Sequence, residues 1–295
     1  MTDRAGRPAV AATRAELAGL LSGWRGRGGT GQRQVALVPT MGALHEGHGS
    51  LIRLARERVG DGAVVVSIFV NPMQFGAGED FDRYPRTLAD DLAVCAREGV
   101  DVVFAPDLAE VYPGGEPQVR IDPGPRADTL EGRARPGHFA GVLTVVAKLF
   151  GLVRPDVAVF GEKDYQQLAL VTQLATDLCL GVEVVGAPTR RERDGLALSS
   201  RNRYLDPEQR AAATALSRAL YAAQAEARYG VDAALEEARA ELRTAHGVDL
   251  DYLVITDPAL GELPDVVPPG TPARILIAAR LGDTRLIDNM ALVIG

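Results

Sequence analysis

The run AVVVSIFV, from Ala63 to Val70, contains a single polar side chain, and it restricts what this chain can fold into more than any other feature. It is strand-sized, β-branched and continuous rather than alternating, which suits a strand covered on both faces, as in a parallel sheet packed between two helix layers. Val35 to Val38, Asp101 to Ala105, Val157 to Phe160 and Val182 to Val185 read as further strands. Between them apolar residues recur at helical spacing: Leu51, Leu54, Ala55 and Val59; Leu88, Leu92 and Cys95; Phe139, Val142, Val146, Leu149 and Val153; Leu168, Val171, Leu174 and Leu178. Thr87 with Asp90 three residues on is a capping-box pattern, and Gly99 stands where that helix would stop.

Such alternation predicts an α/β protein with a doubly wound parallel sheet over residues 1–188. Ligands of that architecture lie beyond the carboxyl ends of the strands, so Pro39 to His48, Asn71 to Phe75 and Gly161 to Gln167 are expected to converge on one crevice. After Pro188 the texture changes. RRERDGLALSSRNRYL is polar and loop-like, Asp206 and Pro207 read as an N-cap and first helical residue, and alanine-rich helices run to about residue 245. Tyr252 to Ile255 and Arg274 to Ala278 read as strands, so residues 189–295 are expected to form a smaller C-terminal α+β domain. RGRGGT, from Arg25 to Thr30, and VYPGGEPQ are surface loops on composition.

The 295 residues, 46% hydrophobic and 24% charged, suffice for one large domain or two moderate ones. With 32 basic and 39 acidic residues the net charge is −7, which argues against a broad basic surface and hence against nucleic acid as a partner. A local cluster of Lys, Arg and backbone N–H groups can still hold a small anion. Cys95 and Cys179 both fall in helical stretches and read as small buried hydrophobes, with no disulfide framework. The first residues lack an apolar signal core and no run approaches the ~18 apolar residues of a membrane span, so a cytoplasmic protein away from membranes is expected.

Two of the four histidines, His45 and His48, stand three apart in VPTMGALHEGH. A zinc protease motif would need i, i+4 spacing and a third ligand, and neither is evident. Two readings remain open from the residues: imidazoles that cap the start of a helix, or donors on a glycine-rich, phosphate-side loop where a helix N-terminus favours negative charge. His246 fits no pattern.

Five segments taken together, VPTMGALHEGH, SIFVNPMQF, RPGHFAGV, GEKDYQQL and DGLALSSRNRYL, resemble the pantoate beta-alanine ligase family, within the Rossmann-like HxGH nucleotidylyltransferase type of fold. The resemblance runs in order from Val35 to Arg203, with a further match at LGDTRLIDN. It implies a two-step reaction in which ATP and pantoate give a pantoyl adenylate and pyrophosphate, and beta-alanine then displaces AMP to leave pantothenate. On the matched positions, His45 and His48 would lie against the phosphates, with His48 as proton or hydrogen-bond donor. Lys163 and Arg201 would supply positive charge, Ser199 and Ser200 further donors, and Asp164 would hold the ribose hydroxyls or cap a helix.

Met41, Gly42, Gly47, Gly161, Arg190 and Leu198 would line the nucleotide site. Gln74 and Gln167, with Asn71 and Met41, would hold pantoate; Arg135 and His138 match too, although a helix-start arginine and a packing histidine would look the same. Asp90 and Asp91 could reach a Mg2+ ion, itself held mainly by the ATP phosphates. The resemblance further implies a homodimer and a C-terminal lid. Gly49 and Arg190 depart from the family's usual residues. A nucleotidyltransferase making a dinucleotide, or a non-catalytic nucleotide-binding protein, would share parts of this pattern.

Overall fold

The computed structural model describes residues 6–25 and 33–295; of the RGRGGT loop, Gly26–Thr30 lie outside the described residues. The chain divides into two compact units: Met1–Gly161 with Gln166–Ala187, and Glu162–Tyr165 with Pro188–Gly295. The short EKDY segment thus clusters with the second unit although its flanks belong to the first.

The first unit carries β1 (Ala9–Ala11), α1 (Arg14–Arg25), β2 (Val35–Thr40), α2 (Glu46–Val59), β3 (Ala63–Ile68), α3 (Leu88–Arg97), β4 (Val102–Phe104), α4 (Leu108–Val111), α5 (Leu130–Ala134), α6 (His138–Val153), β5 (Val157–Gly161), α7 (Tyr165–Asp177, its first residue grouped with the other unit) and β6 (Glu183–Ala187). The six strands form one sheet in the order β1-β4-β3-β2-β5-β6, parallel throughout. This is the doubly wound parallel sheet expected from the alternation of strand and helix. Successive residues of β2 feed opposite cores: Val35 and Leu37 pack with α1, α6 and α7, whereas Ala36 and Val38 pack with α2 and Cys95 of α3. Period-two side-chain alternation with both faces apolar is what a strand between two helix layers requires.

Chain order reverses between β2 and β5, since β3 and β4 extend the sheet one way and β6 the other. At such a switch point the segments leaving adjacent strands separate and leave a crevice beyond the carboxyl ends. β2 ends at Thr40, directly before MGALHEGH, and β5 ends at Gly161, directly before EKD.

The second unit holds α8 (Pro207–Glu226), α9 (Val231–Arg243) and an antiparallel sheet β7-β8-β9 (Asp249–Thr256, Thr271–Leu281, Thr284–Ile294). Asp206 caps α8 through Gln209 N–H, Gln209 returns a bond to the Asp206 N–H, and Pro207 occupies the first turn. Ala213, Ala219, Ala223, Ala234 and Ala238 are fully buried with Ile275, Ile277 and Leu281 of β8, so the alanine content of these helices serves close packing.

The structure departs from three local expectations. Thr87 is the N-cap of α3 but makes no side-chain cap bond; its hydroxyl donates to Asp91 at 3.3 Å, so the Thr87–Asp90 box is not formed. Cys179 is exposed beyond the end of α7 at φ +51°, whereas Cys95 is buried as expected. β1 and β9 carry strands that the apolar pattern does not announce. No helix among the described residues is long and apolar enough to cross a membrane.

Candidate active site

In the first unit, the two histidines cap the start of a helix through their Nδ1 atoms. His45 is the N-cap of α2 and its Nδ1 accepts the Gly47 N–H at 3.1 Å; the Nδ1 of His48 accepts the His45 N–H at 3.2 Å. A ring nitrogen that accepts from a backbone N–H carries no hydrogen, so each neutral imidazole holds its proton on Nε2. The rings lie 4.2 Å apart at 44°. The H-x-G-H spacing thereby satisfies orphan N–H groups of the helix start and fixes one tautomer at both positions. Of the two readings of the pair, these bonds show the helix cap.

Left-handed backbone shapes the loop before them. Gly42 has φ +83° and Ala43 φ +51°. The second costs about 1–2 kcal/mol for a residue with a Cβ. Asp91, 2% exposed, accepts the N–H groups of Leu44 at 2.7 Å and Ala43 at 3.1 Å, and the Thr40 hydroxyl accepts the Gly42 N–H at 3.2 Å. Both Asp91 oxygens are engaged by protein donors while Asp90 is exposed, and no cluster of three His, Cys, Asp or Glu among the described residues could hold a metal ion. The residues present thus form no ready-made cage for an ion, and the Asp91 carboxylate is already spent on the loop backbone.

Gln74 sits on a 3-10 turn, Pro72–Gln74, after β3, and its Nε2 reaches the Met41 sulfur at 2.9 Å. Asn71, 1% exposed, donates to Gln74 Oε1 at 3.2 Å and to Gly141 O at 3.1 Å, and accepts from the Tyr112 hydroxyl at 2.8 Å. Asn71 is thus a buried bracket for Gln74. Burial pushes the Tyr112 hydroxyl up to about 12, so it stays a donor. Arg135 and His138 converge on the same turn. Arg135 pairs with Glu79 and donates to the Gln74 carbonyl at 3.2 Å, while His138 Nδ1 meets the same carbonyl at 2.7 Å. They hold the Gln74 backbone in place. Gln167 is half-buried, and its neighbour Gln166 is buried against Glu131, Arg126 and Thr129.

In the second unit, Lys163 and Asp164 lie on the 3-10 turn Glu162–Asp164, Nζ to Oδ1 3.7 Å. Asn289 of β9 donates to the carbonyls of Glu162 and Lys163, each at 2.9 Å, and Arg274 pairs with Glu162 at 2.8 Å while lying 3.7 Å over the Tyr165 ring. Ser199 caps a second 3-10 turn, Ser200–Tyr204, by accepting the Arg201 N–H at 3.2 Å. Asn202 ties that turn to Glu192 at 2.9 Å and to the Ala197 carbonyl at 3.0 Å. Arg190 is exposed, and its carbonyl accepts the Leu198 N–H at 2.9 Å. Arg191 pairs with the buried Asp288, whose carboxyl burial pushes up against the pull of the guanidinium. Asn289 and Asp288 stand in the LGDTRLIDN match; nothing in the sequence pattern singled out Arg274 or Tyr112.

A family model described as pantoate-beta-alanine ligase matches residues 9–291. The pantothenate synthetase of Nocardioides sp. is 71% identical over 292 residues, spanning 98% of this chain and 86% of the relative. That of Mycobacterium sp. strain KMS is 59% identical over 263 residues, 89% of this chain and 82% of the relative. Among solved structures, the pantothenate synthetase of Thermus thermophilus has a TM-score of 0.85 at 48% identity, covering 96% of this chain and 98% of that one. The pantoate-beta-alanine ligase of Francisella tularensis, complexed with beta-gamma ATP and beta-alanine, gives 0.77 at 34% identity, with 96% and 97% covered.

Fold and matches together define a class: an AMP-forming ligase built on a doubly wound parallel sheet. Within that class the chain belongs to the pantoate–beta-alanine ligase family. Its reaction joins pantoate to beta-alanine in an amide bond, and the dinucleotide-forming and non-catalytic readings fall away.

Proposed function

We propose a division of labour for that reaction on this chain's own residues. In the first step a pantoate carboxylate oxygen bonds to the α-phosphorus of ATP and pyrophosphate leaves. The Nε2 hydrogens of His45 and His48 donate to phosphate oxygens as charge shifts onto them, with His48 the donor nearest the reacting phosphorus. Lys163 and Arg201 supply fixed charge, Ser199 and Ser200 add donors, and Asp164 accepts from the ribose hydroxyls. Met41, Gly42, Gly47, Gly161, Arg190 and Leu198 line the nucleotide. Gln74 and Gln167 hold pantoate through uncharged amides, which bind its oxygens without diverting the carboxylate from the phosphorus.

In the second step the amine of beta-alanine attacks the acyl carbon, AMP leaves with the bonding pair, and the amine sheds a proton to give the amide. Residues 189–295 act as the lid that keeps water from the mixed anhydride. The ligands of the Francisella relative support ATP and beta-alanine as ligands here. Magnesium enters with the triphosphate and not through Asp90 or Asp91. Family resemblance supports a homodimer, and two cysteines outside any disulfide support a reducing, cytoplasmic setting.

One observation carries this reading: capping bonds at Nδ1 fix the donor tautomer at both histidines. The test is nucleotide product analysis with purified protein. AMP, pyrophosphate and pantothenate should form only when ATP, pantoate and beta-alanine are all present, and ADP as product would overturn the scheme. His48→Ala should slow adenylation by about 10²-fold, the scale of one lost transition-state donor.

A further inference from the structure

Asp91 reaches the histidine loop from another part of the chain. It lies on α3, 48 residues from Ala43, yet its carboxylate accepts from Ala43, Leu44 and the Thr87 hydroxyl at 3.1, 2.7 and 3.3 Å. The carboxylate is packed onto the loop backbone: a Cβ added to Gly42 would stand 2.9 Å from Asp91 Oδ2. The loop it meets contains two successive left-handed residues, one of them an alanine, a conformation that persists only where surroundings over-determine it. Charge-assisted bonds from a buried carboxylate are the interaction that does so here. Leu44 is the residue before His45, so the direction in which the chain enters α2, and with it both capping imidazoles, follows from where Asp91 holds residues 43 and 44.

We infer that Asp91 is a positioning residue of the adenylation step: its buried carboxylate locks the left-handed turn at residues 42–43 and thereby sets where His45 and His48 present their Nε2 hydrogens. The inference rests on the reading of those histidines as phosphate donors. Its effect passes entirely through backbone N–H groups, which is why no spacing in the sequence reveals it.

The experiment compares Asp91→Asn with Cys95→Ser in the full-length enzyme. Cys95 is buried one turn further along α3, within reach of the Asp91 charge but making none of the bonds to residues 43 and 44, so its substitution disturbs the same stretch of helix while leaving those bonds in place. Asp91→Asn keeps the shape but turns one acceptor into a donor facing an N–H. Pyrophosphate release in a single turnover should slow about 10²-fold, the scale of an ångström of misplacement, with the KM for beta-alanine unmoved. Cys95→Ser, at equal or greater loss of Tm, should stay within about 3-fold of the parent.

A second readout is independent of turnover: imidazole NMR signals of the four histidines, of which His45 and His48 should move and His138 and His246 should not. Unmoved His45 and His48 signals overturn the inference whatever the rate does. Recovery of the rate at raised magnesium identifies Asp91 as an ion ligand and overturns it too, as does an equal loss in Cys95→Ser. Moved signals with an undiminished rate overturn it through the other route, by removing the phosphate-donor role of the histidines. Where Asp91→Asn does not fold, Thr87→Val removes only the third donor: adenylation slowed about 3-fold supports the inference, and an unchanged rate overturns it.

Discussion

Gly141 and Gly151 share α6, and alanine at the two positions should act with opposite sign. An added Cβ at Gly141 would lie 2.1 Å from the Met73 carbonyl oxygen, 2.4 Å from its carbon and 2.8 Å from the Gln74 nitrogen. All three are backbone atoms, so the Pro72–Gln74 turn has to retreat by about 1 Å to regain van der Waals distance. Overpacking of that kind costs about 1–3 kcal/mol, and the Asn71 bond to the Gly141 carbonyl, worth about 1 kcal/mol, is stretched as well. The helical gain of alanine over glycine offsets about 1 kcal/mol, leaving Gly141→Ala less stable by about 1–3 kcal/mol.

Gly151 is exposed with nothing within 4 Å of its added Cβ, so the same substitution there should stabilise by about 0.5–1 kcal/mol. Since the displaced turn carries Gln74, kcat/KM for pantoate should fall about 10²-fold in Gly141→Ala alone. Denaturant unfolding and steady-state kinetics of the two variants read both effects. A Gly141→Ala enzyme as stable as the parent, with its pantoate kinetics intact, would refute the close approach and the role given to the turn.

Asn289→Ala should raise the KM for ATP at least several-fold while the KM for pantoate stays put, because the turn bearing Lys163 loses two bonds worth about 1 kcal/mol each; equal change in both constants would show a general loss of structure instead. Burial pushes the Glu79 carboxyl up, but the hydrogen bonds and charge of Arg135 pull it further down, to a net value below the ordinary one. Its folded pKa then lies beneath its unfolded pKa, so the stabilisation is complete above about pH 4.3 and is lost as pH falls through the lower folded value. Protease protection of residues 76–86 should accordingly be flat from neutral pH to about pH 5 and decline only in more acid solution; a decline already at pH 6–7 would show that a group other than the Glu79–Arg135 pair holds the segment. A thiol reagent should titrate Cys179 at once and Cys95 only after denaturation, since burial pushes the Cys95 thiol up to about 12.

The strands visible in the sequence are those with apolar side chains on both faces. β1 is three residues long at the sheet edge, and β9 places Asp288 and Asn289 in the middle of its run, so neither shows the pattern that exposes β2 and β3. The same distinction separates the site residues. His45, His48 and Lys163 follow strand ends, SSRN opens a 3-10 turn, and all of them stand out by side-chain type and spacing. Asp91, Asn289, Asn71, Arg135 and His138 act on backbone groups of residues far away or on a neighbouring turn. A carboxylate that accepts from a main-chain N–H has the same letter as one that binds a cation, and only the fold tells them apart.

The polymer passes between the two units three times, after Gly161, after Tyr165 and after Ala187. That threading makes the C-terminal third unsuitable as a severable module. A fragment beginning at Pro188 would leave Arg274 without Glu162 and Tyr165, and Asn289 without the two carbonyls it caps. Gene fusions, split-protein designs and shuffling of halves between homologues at this boundary would discard the four-residue insert that both carries the lysine and partners Arg274 and Asn289, whereas exchanges that keep Glu162–Tyr165 with residues 188–295 preserve it.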